Sequence, residues 1–209
     1  MKKIIALTFL LTFLYFSKTS AQVNLSFSTG LNWSNIRLKT NQKVDTKSRF
    51  GFFAEVSPNY RFNDKFRVLL NCQFSQKGYQ NSNPLDPLKT EYKYSYVDII
   101  PEVEYSFLQN LIFGLGVNYG ILLDEQIKDS SHGWIKPNIK SIKSSDFGLV
   151  GKVKAGYKNM YCFLRYNLGL SNITDLIYTD EEGYIIHNTS LINKNWQLGV
   201  GYNLDFKKS

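Results

Sequence analysis

From Gln22 onward, apolar residues recur at every second position, in eight separate runs. Only an extended strand alternates its side chains between two faces, so a period of two sets a strand as the repeating unit and excludes an amphipathic helix. In the first run Val23, Leu25, Phe27, Leu31 and Trp33 share a face. In the last, Trp196, Leu198, Val200, Tyr202, Leu204 and Phe206 do so. The opposite face holds glycine, amides and charge, as in Gln197, Gly199, Gly201 and Asn203. Each run is about ten residues, the length of a tilted strand that crosses a bilayer. A soluble barrel turns its apolar set inward; a membrane barrel turns it toward lipid and fills the lumen with the polar set. Alternation alone does not say which face is out.

The connections help. Those at Asn63-Asp64-Lys65, at Ser106 to Asn110 and at Lys158-Asn159-Met160 suit tight hairpins. The other four are long: Leu38 to Arg49, Lys77 to Glu91, Leu123 to Ser145, and Asn172 to Asn195. The last of these contains Ile177-Tyr178 and Tyr184-Ile185-Ile186 around Asp180 to Gly183, which reads as the final two strands extending past the membrane as a hairpin. Short turns at one end and long loops at the other predict an all-β fold. It is an eight-stranded antiparallel up-and-down transmembrane β-barrel with short periplasmic turns and long extracellular loops.

The first twenty-one residues read differently. Met1-Lys2-Lys3 is a short basic start, Ile4 to Phe16 is apolar, and Thr19-Ser20-Ala21 supplies small residues before Gln22. This is the layout of a cleaved secretory signal peptide, giving 1–21 as signal peptide and 22–209 as one barrel domain. The apolar run is too short for a membrane-spanning helix, which needs roughly 20 residues. No Cys follows the cleavage point, so lipoprotein anchoring is not expected.

The chain is rich in rings, with 14 Tyr, 15 Phe and 3 Trp. Tyr60, Phe62, Phe66, Tyr105, Phe107, Tyr157 and Phe206 fall on the apolar face beside the short turns. Strand propensity explains their presence but not their clustering at one level, which points to a periplasmic-side aromatic girdle. On the polar face lie Glu55, Arg61, Arg67, Asp98, Glu102, Glu104, Lys152, Lys154, Arg165 and Asp205, five acids and five bases. An eight-stranded barrel is so narrow that side chains fill it, and buried charges persist only when paired. The expectation is an interlocked lumen ionic network and no open pore.

Pro58 and Pro101 sit inside runs and lead us to expect bulges there, because proline removes a ladder donor. Cys72 and Cys162 fall on the third and seventh strands, too far apart around the ring to bridge. His132 and His187 lie in long connections, and no acidic residue stands at a spacing that makes a catalytic triad legible. No metal site and no cofactor is expected. The stretch from Lys128 to Lys143 carries Lys128, Lys136, Lys140 and Lys143 against Asp129. Such a basic loop suits lipopolysaccharide phosphates or an acidic partner, though a solvated loop is the blander reading.

Four stretches carry a resemblance. They are Gly30-Leu31-Asn32-Trp33-Ser34, Tyr96-Val97-Asp98-Ile99-Ile100-Pro101, Asp146-Phe147-Gly148-Leu149-Val150-Gly151, and Arg165 through Ile173. In these the chain resembles the PorT-like outer-membrane β-barrel family of Bacteroidetes. The resemblance implies an eight-stranded barrel in the outer membrane, whose founding member is associated with type IX secretion and gliding machinery. The departures are Lys152 and Lys154 in a stretch often glycine-rich in relatives, the extra Ile100 before Pro101, and an end at Lys207-Lys208-Ser209 beyond Phe206.

The expected function is that of a non-enzymatic outer-membrane barrel with a structural or assembly role, secretion machinery being one setting. The alternative is a surface-exposed binding or adhesion barrel acting through its long loops. A lipid-modifying enzyme and a soluble ligand-holding barrel rank below these. Expected partners are membrane lipid and other envelope proteins, with no nucleic acid and no small-molecule substrate.

Overall fold

The computed structural model describes residues 23–39, 46–81, 90–128, 133–137, 142–174 and 190–204. Eight strands follow one another: β1 (Val23–Lys39), β2 (Thr46–Arg61), β3 (Phe66–Asn81), β4 (Glu91–Leu108), β5 (Leu111–Lys128), β6 (Ser145–Tyr157), β7 (Met160–Gly169) and β8 (Ser190–Leu204). Each pairs with its sequence neighbour, and β1 closes on β8 in antiparallel register from Leu25↔Leu204 to Lys39↔Ser190. Closure leaves no strand edge, so every strand has a ladder on both sides.

The hairpins at the short end are local in origin. In the β2–β3 turn the Asn63 side-chain oxygen accepts from the backbone N–H groups of Lys65 and Phe66, both at 2.9 Å. This is the self-bonding that makes Asn a turn former. Lys158 opens the two-residue β6–β7 turn in the left-handed region, with φ at 55°. That conformation twists the hairpin correctly but is uncommon for a residue with a Cβ.

The strands are longer than the expected ten residues: 18 in β4 and β5, and 10 only in β7. The long connections shrink accordingly to 40–45, 82–90, 129–144 and 170–189. The expected hairpin around Ile177 and Tyr184 lies outside the described residues.

The prolines do not bulge their strands. Pro58 stays in register with Leu25, and Pro101 with Leu70. On the other side of each, the ladder skips two residues without shifting, from Val56↔Cys72 to Asn59↔Leu69 and from Ile99↔Tyr119 to Glu102↔Gly116. Loss of one N–H donor opens the ladder on one side and does not force an extra residue into it. The register shifts fall instead between Ser48 and Phe53 in β2, and between Ser95 and Tyr96 and between Ser106 and Leu108 in β4. At the β2 shift Asn32 and Ser34 of β1 reach past β2 and donate to the carbonyl oxygens of Gln76 and Gly78 in β3, at 3.1 and 3.0 Å.

The structure settles the facing. Apolar residues of the period-two set point out: Leu31, Leu115, Leu198 and Val200 are each more than half exposed. Polar residues of the other set point in: Asn32, Gln73, Arg165 and Gln197 are at most 1% exposed. Water does not tolerate such a belt on a monomer, but hydrocarbon does. Within the ring, Gly199 makes room for aromatic packing. A Cβ built there would stand 2.6 Å from Phe163 Cε1 and 2.7 Å from Phe53 Cζ. Gly199→Ala is therefore expected to cost about 1–3 kcal/mol in denaturant unfolding from vesicles. A change within about 0.5 kcal/mol would mean that the two rings move aside freely.

Candidate functional site: the closed lumen and its outer mouth

Inward positions on β2, β4, β6 and β7 converge on one cluster in the short-turn half of the barrel. Arg165 in β7 is fully buried and grips Glu55 of β2 with two parallel bonds, Nη1 to Oε2 at 2.6 Å and Nη2 to Oε1 at 3.1 Å. Its Nη2 also lies 3.6 Å from Glu102 Oε2. The planar guanidinium fork suits such bidentate contact with a carboxylate. Lys152 bridges Glu102 and Glu104, the latter at 2.8 Å, and Lys154 pairs with Glu104. Arg67 stands 3.8 Å from Glu104 at the periphery. Neutral donors complete the carboxylates: Ser28 and Gln73 on Glu55, and Asn71 on Glu102, each at 3.1 Å. Gly114 leaves the space into which the Glu102 carboxylate projects.

A second cluster sits toward the long-loop end. Lys77 Nζ lies 2.9 Å from Asp98 and 3.5 Å from Asp146, and its ammonium is over the Tyr96 ring at 4.7 Å. Ser75 donates to Asp98 at 2.5 Å and Asn193 to Asp146 at 2.9 Å. Between the clusters Gln197 donates to Gln73 at 2.9 Å, and Gln197 also accepts from Arg165 at 3.2 Å. The lower cluster holds four cations against three carboxylates, and the upper one ammonium against two carboxylates, so the ten side chains balance. Above them Ile36, Tyr94, Tyr96, Ile142, Ile173 and Leu191 form an apolar cap inside the mouth. Ile142 and Ile173 come from the β5–β6 and β7–β8 connections, and the Ile142↔Thr174 bridge draws those two segments together.

Of the ten residues expected in the lumen, eight are brought together here. Arg61 is not: it is exposed where β2 ends. Its polar parity points inward, but the strand stops before the ring encloses it. Asp205 lies outside the described residues. Lys77 and Asp146 join the lumen in addition to those eight. Lys77 falls in the expected Lys77 to Glu91 connection, but β3 continues to Asn81 and carries it inside. Asp146 shares the parity of Lys152 and Lys154, which marks it as inward.

Tyr60, Phe62, Phe66, Tyr105, Phe107 and Tyr157 lie around the short turns, five of them exposed and Tyr60 half-buried. Tyr60 meets Phe62 edge-on at 4.7 Å, and Phe66 tilts against Tyr105 at 5.2 Å. Phe206 falls outside the described residues. A second aromatic group lies on the same face toward the long-loop end: Trp33 stacks on Phe50 at 6.0 Å, and Trp196 tilts against Tyr166 at 4.5 Å. Cys72 and Cys162 are free and exposed. His132, Lys140, His187 and Asp129 lie outside the described residues. Among the described residues there is no cluster of His, Cys, Asp and Glu fit to hold a metal.

An apolar outer belt around a charged, filled interior defines the class: an integral outer-membrane β-barrel protein. Residues 16–175 match the outer membrane protein beta-barrel domain family, and the chain belongs to it. Among solved structures, the outer membrane protein OprG from Pseudomonas aeruginosa shares the fold at 17% identity and a TM-score of 0.51, over 88% of this chain and 97% of that one. The attachment invasion locus protein Ail of Yersinia pestis aligns at 15% identity and a TM-score of 0.47, over 88% and 99%. Neisserial surface protein A aligns at 14% and 0.47, over 86% and 97%. No curated protein matches the sequence. The protein resides in the cell outer membrane, with its belt in contact with lipid.

Proposed function

We propose that this is a non-enzymatic barrel with a structural or assembly role, acting through its surfaces and not through its lumen. One observation carries the reading: the interior is blocked twice, by ion pairs in which Arg165 is wholly buried and by the apolar cap above them. Opening a path requires separating buried charges, which costs several kcal/mol per pair. The experiment is single-channel recording from the purified chain in planar bilayers. We expect no steady conductance at neutral pH, and a stable open level of the size of a hydrated ion pore would overturn the reading. Within the family, the stretches Tyr96 to Pro101 and Arg165 to Ile173 support placement among PorT-like barrels, with residues 1–21 removed on export and envelope proteins as partners. Cross-linking in living cells from a tag in a long loop tests the partners. Stoichiometric co-purification of envelope proteins supports an assembly role, and recovery of the barrel alone shifts the reading to an independent surface protein.

A further inference from the structure

Above the apolar belt, on the outer surface of the wall, three cations crowd one ring. Lys93 Nζ lies 4.4 Å, Arg49 Cζ 5.5 Å and Lys128 Nζ 5.9 Å from the centroid of Trp134. The ladders explain how they meet. Lys93 of β4 pairs with Gln126 of β5, and Glu91 with Lys128, which puts Lys93 and Lys128 at outward positions on neighbouring strands. The Ile127↔Ile135 bridge lays residues 133–137 along β5. That contact brings Trp134 beside Lys128, and Lys136 within 2.8 Å of Asp124. The Asp124 carboxyl is held below its ordinary range, chiefly by its bond to Lys136.

Among the described residues the group is short of negative charge. Arg49, Lys93, Lys128 and Lys136 face Glu91 and Asp124, and only Arg49 and Lys136 are in ion pairs among the described residues. Ring faces hold cations, but like charges so close repel one another unless an anion lies between them. A second observation points to that anion. Arg49 is 7% exposed, and its Nη1 has no hydrogen-bond partner among the described residues, while its Nε is taken by Glu91 at 2.8 Å. A buried guanidinium N–H left unused costs free energy, and a phosphate oxygen satisfies it once the side chains that close it from solvent move aside.

Height and surroundings select the source. Lys93 is twelve residues along β4 from Tyr105 of the short-turn girdle. At about 3.4 Å per residue and a tilt near 40° that is roughly 30 Å, just beyond an apolar band of about 25 Å. Leu123, more than half exposed, adjoins Asp124 in sequence. An exposed apolar side chain next to cations at headgroup level fits an amphiphile better than a free anion. We propose that Arg49, Lys93 and Lys128, gathered around Trp134, form a binding site for the phosphate of an outer-leaflet glycolipid.

The test uses the full chain in phosphatidylcholine nanodiscs with Trp33→Phe and Trp196→Phe, which leaves Trp134 as the sole tryptophan reporter. Diphosphoryl lipid A titrated into the discs should shift Trp134 emission saturably. Arg49→Gln/Lys93→Gln/Lys128→Gln should weaken that response at least tenfold while retaining the heat-modifiable gel shift of a folded barrel. Should the triple variant fail to fold, Lys93→Gln alone should weaken it about threefold. An equal response to dephosphorylated lipid A overturns the site, as does an unchanged response in the folded variants. An equal response to inorganic phosphate at matched concentration overturns the glycolipid as its source.

Discussion

Arg165→Met is expected to destabilise the barrel by about 3–5 kcal/mol, measured by urea unfolding from lipid vesicles. The side chain is fully buried and neutralises Glu55 through two bonds while lying beside Glu102. Its removal strands a carboxylate left with the neutral donors Ser28, Ser57 and Gln73. The cost is that of an unpaired buried charge and not the worth of the pair. Glu55→Gln/Arg165→Met should therefore regain most of the loss, because neither partner then leaves a charge behind. A single variant within about 1 kcal/mol of wild type would show that water reaches Glu55 and that the lumen is not sealed. A double variant as unstable as the single one would place the cost in lost packing of Arg165 over the Phe163 ring, 4.9 Å away.

Leu198→Arg should cost about 2–4 kcal/mol in the same assay, the penalty for a cation near the middle of a lipid-facing strand. Leu198 is 61% exposed and stands four residues above Tyr202 on β8, well inside the apolar belt. In a soluble barrel so exposed a position would accept arginine within about 0.5 kcal/mol. The substitution thus reads the solvent outside the wall. A small effect in vesicles would mean that β8 does not face hydrocarbon.

The period of two was enough to place all eight strands, because one buried and one lipid-facing side leave a strand no freedom to slip by one residue. It was also enough to select most of the lumen charges, since Glu55, Glu102, Lys152 and Arg165 share parity on their strands. It failed at the ends. Tyr79, Tyr92 and Tyr94 extend β3 and β4 upward to pack inside the mouth, yet Tyr on both faces blurs the alternation that would have marked them. Lys77, two residues before Tyr79, belongs to this extension of β3. Arg61 is the complementary case: parity gives direction but not whether the ring reaches that height.

The lateral partners belong to another level. Nothing in the sequence pairs Arg165 with Glu55, 110 positions away, or sets Lys93, Lys128 and Arg49 around Trp134. Closure of β1 on β8 and the stagger of successive strands decide which inward residues stand at one height. By itself the sequence determined the strands, their two faces and the solvent each face requires, because those depend on local geometry and transfer free energy. Only the tertiary structure decided which charge neutralises which, where the wall bulges and what seals the mouth, because each of these depends on a distance across the ring.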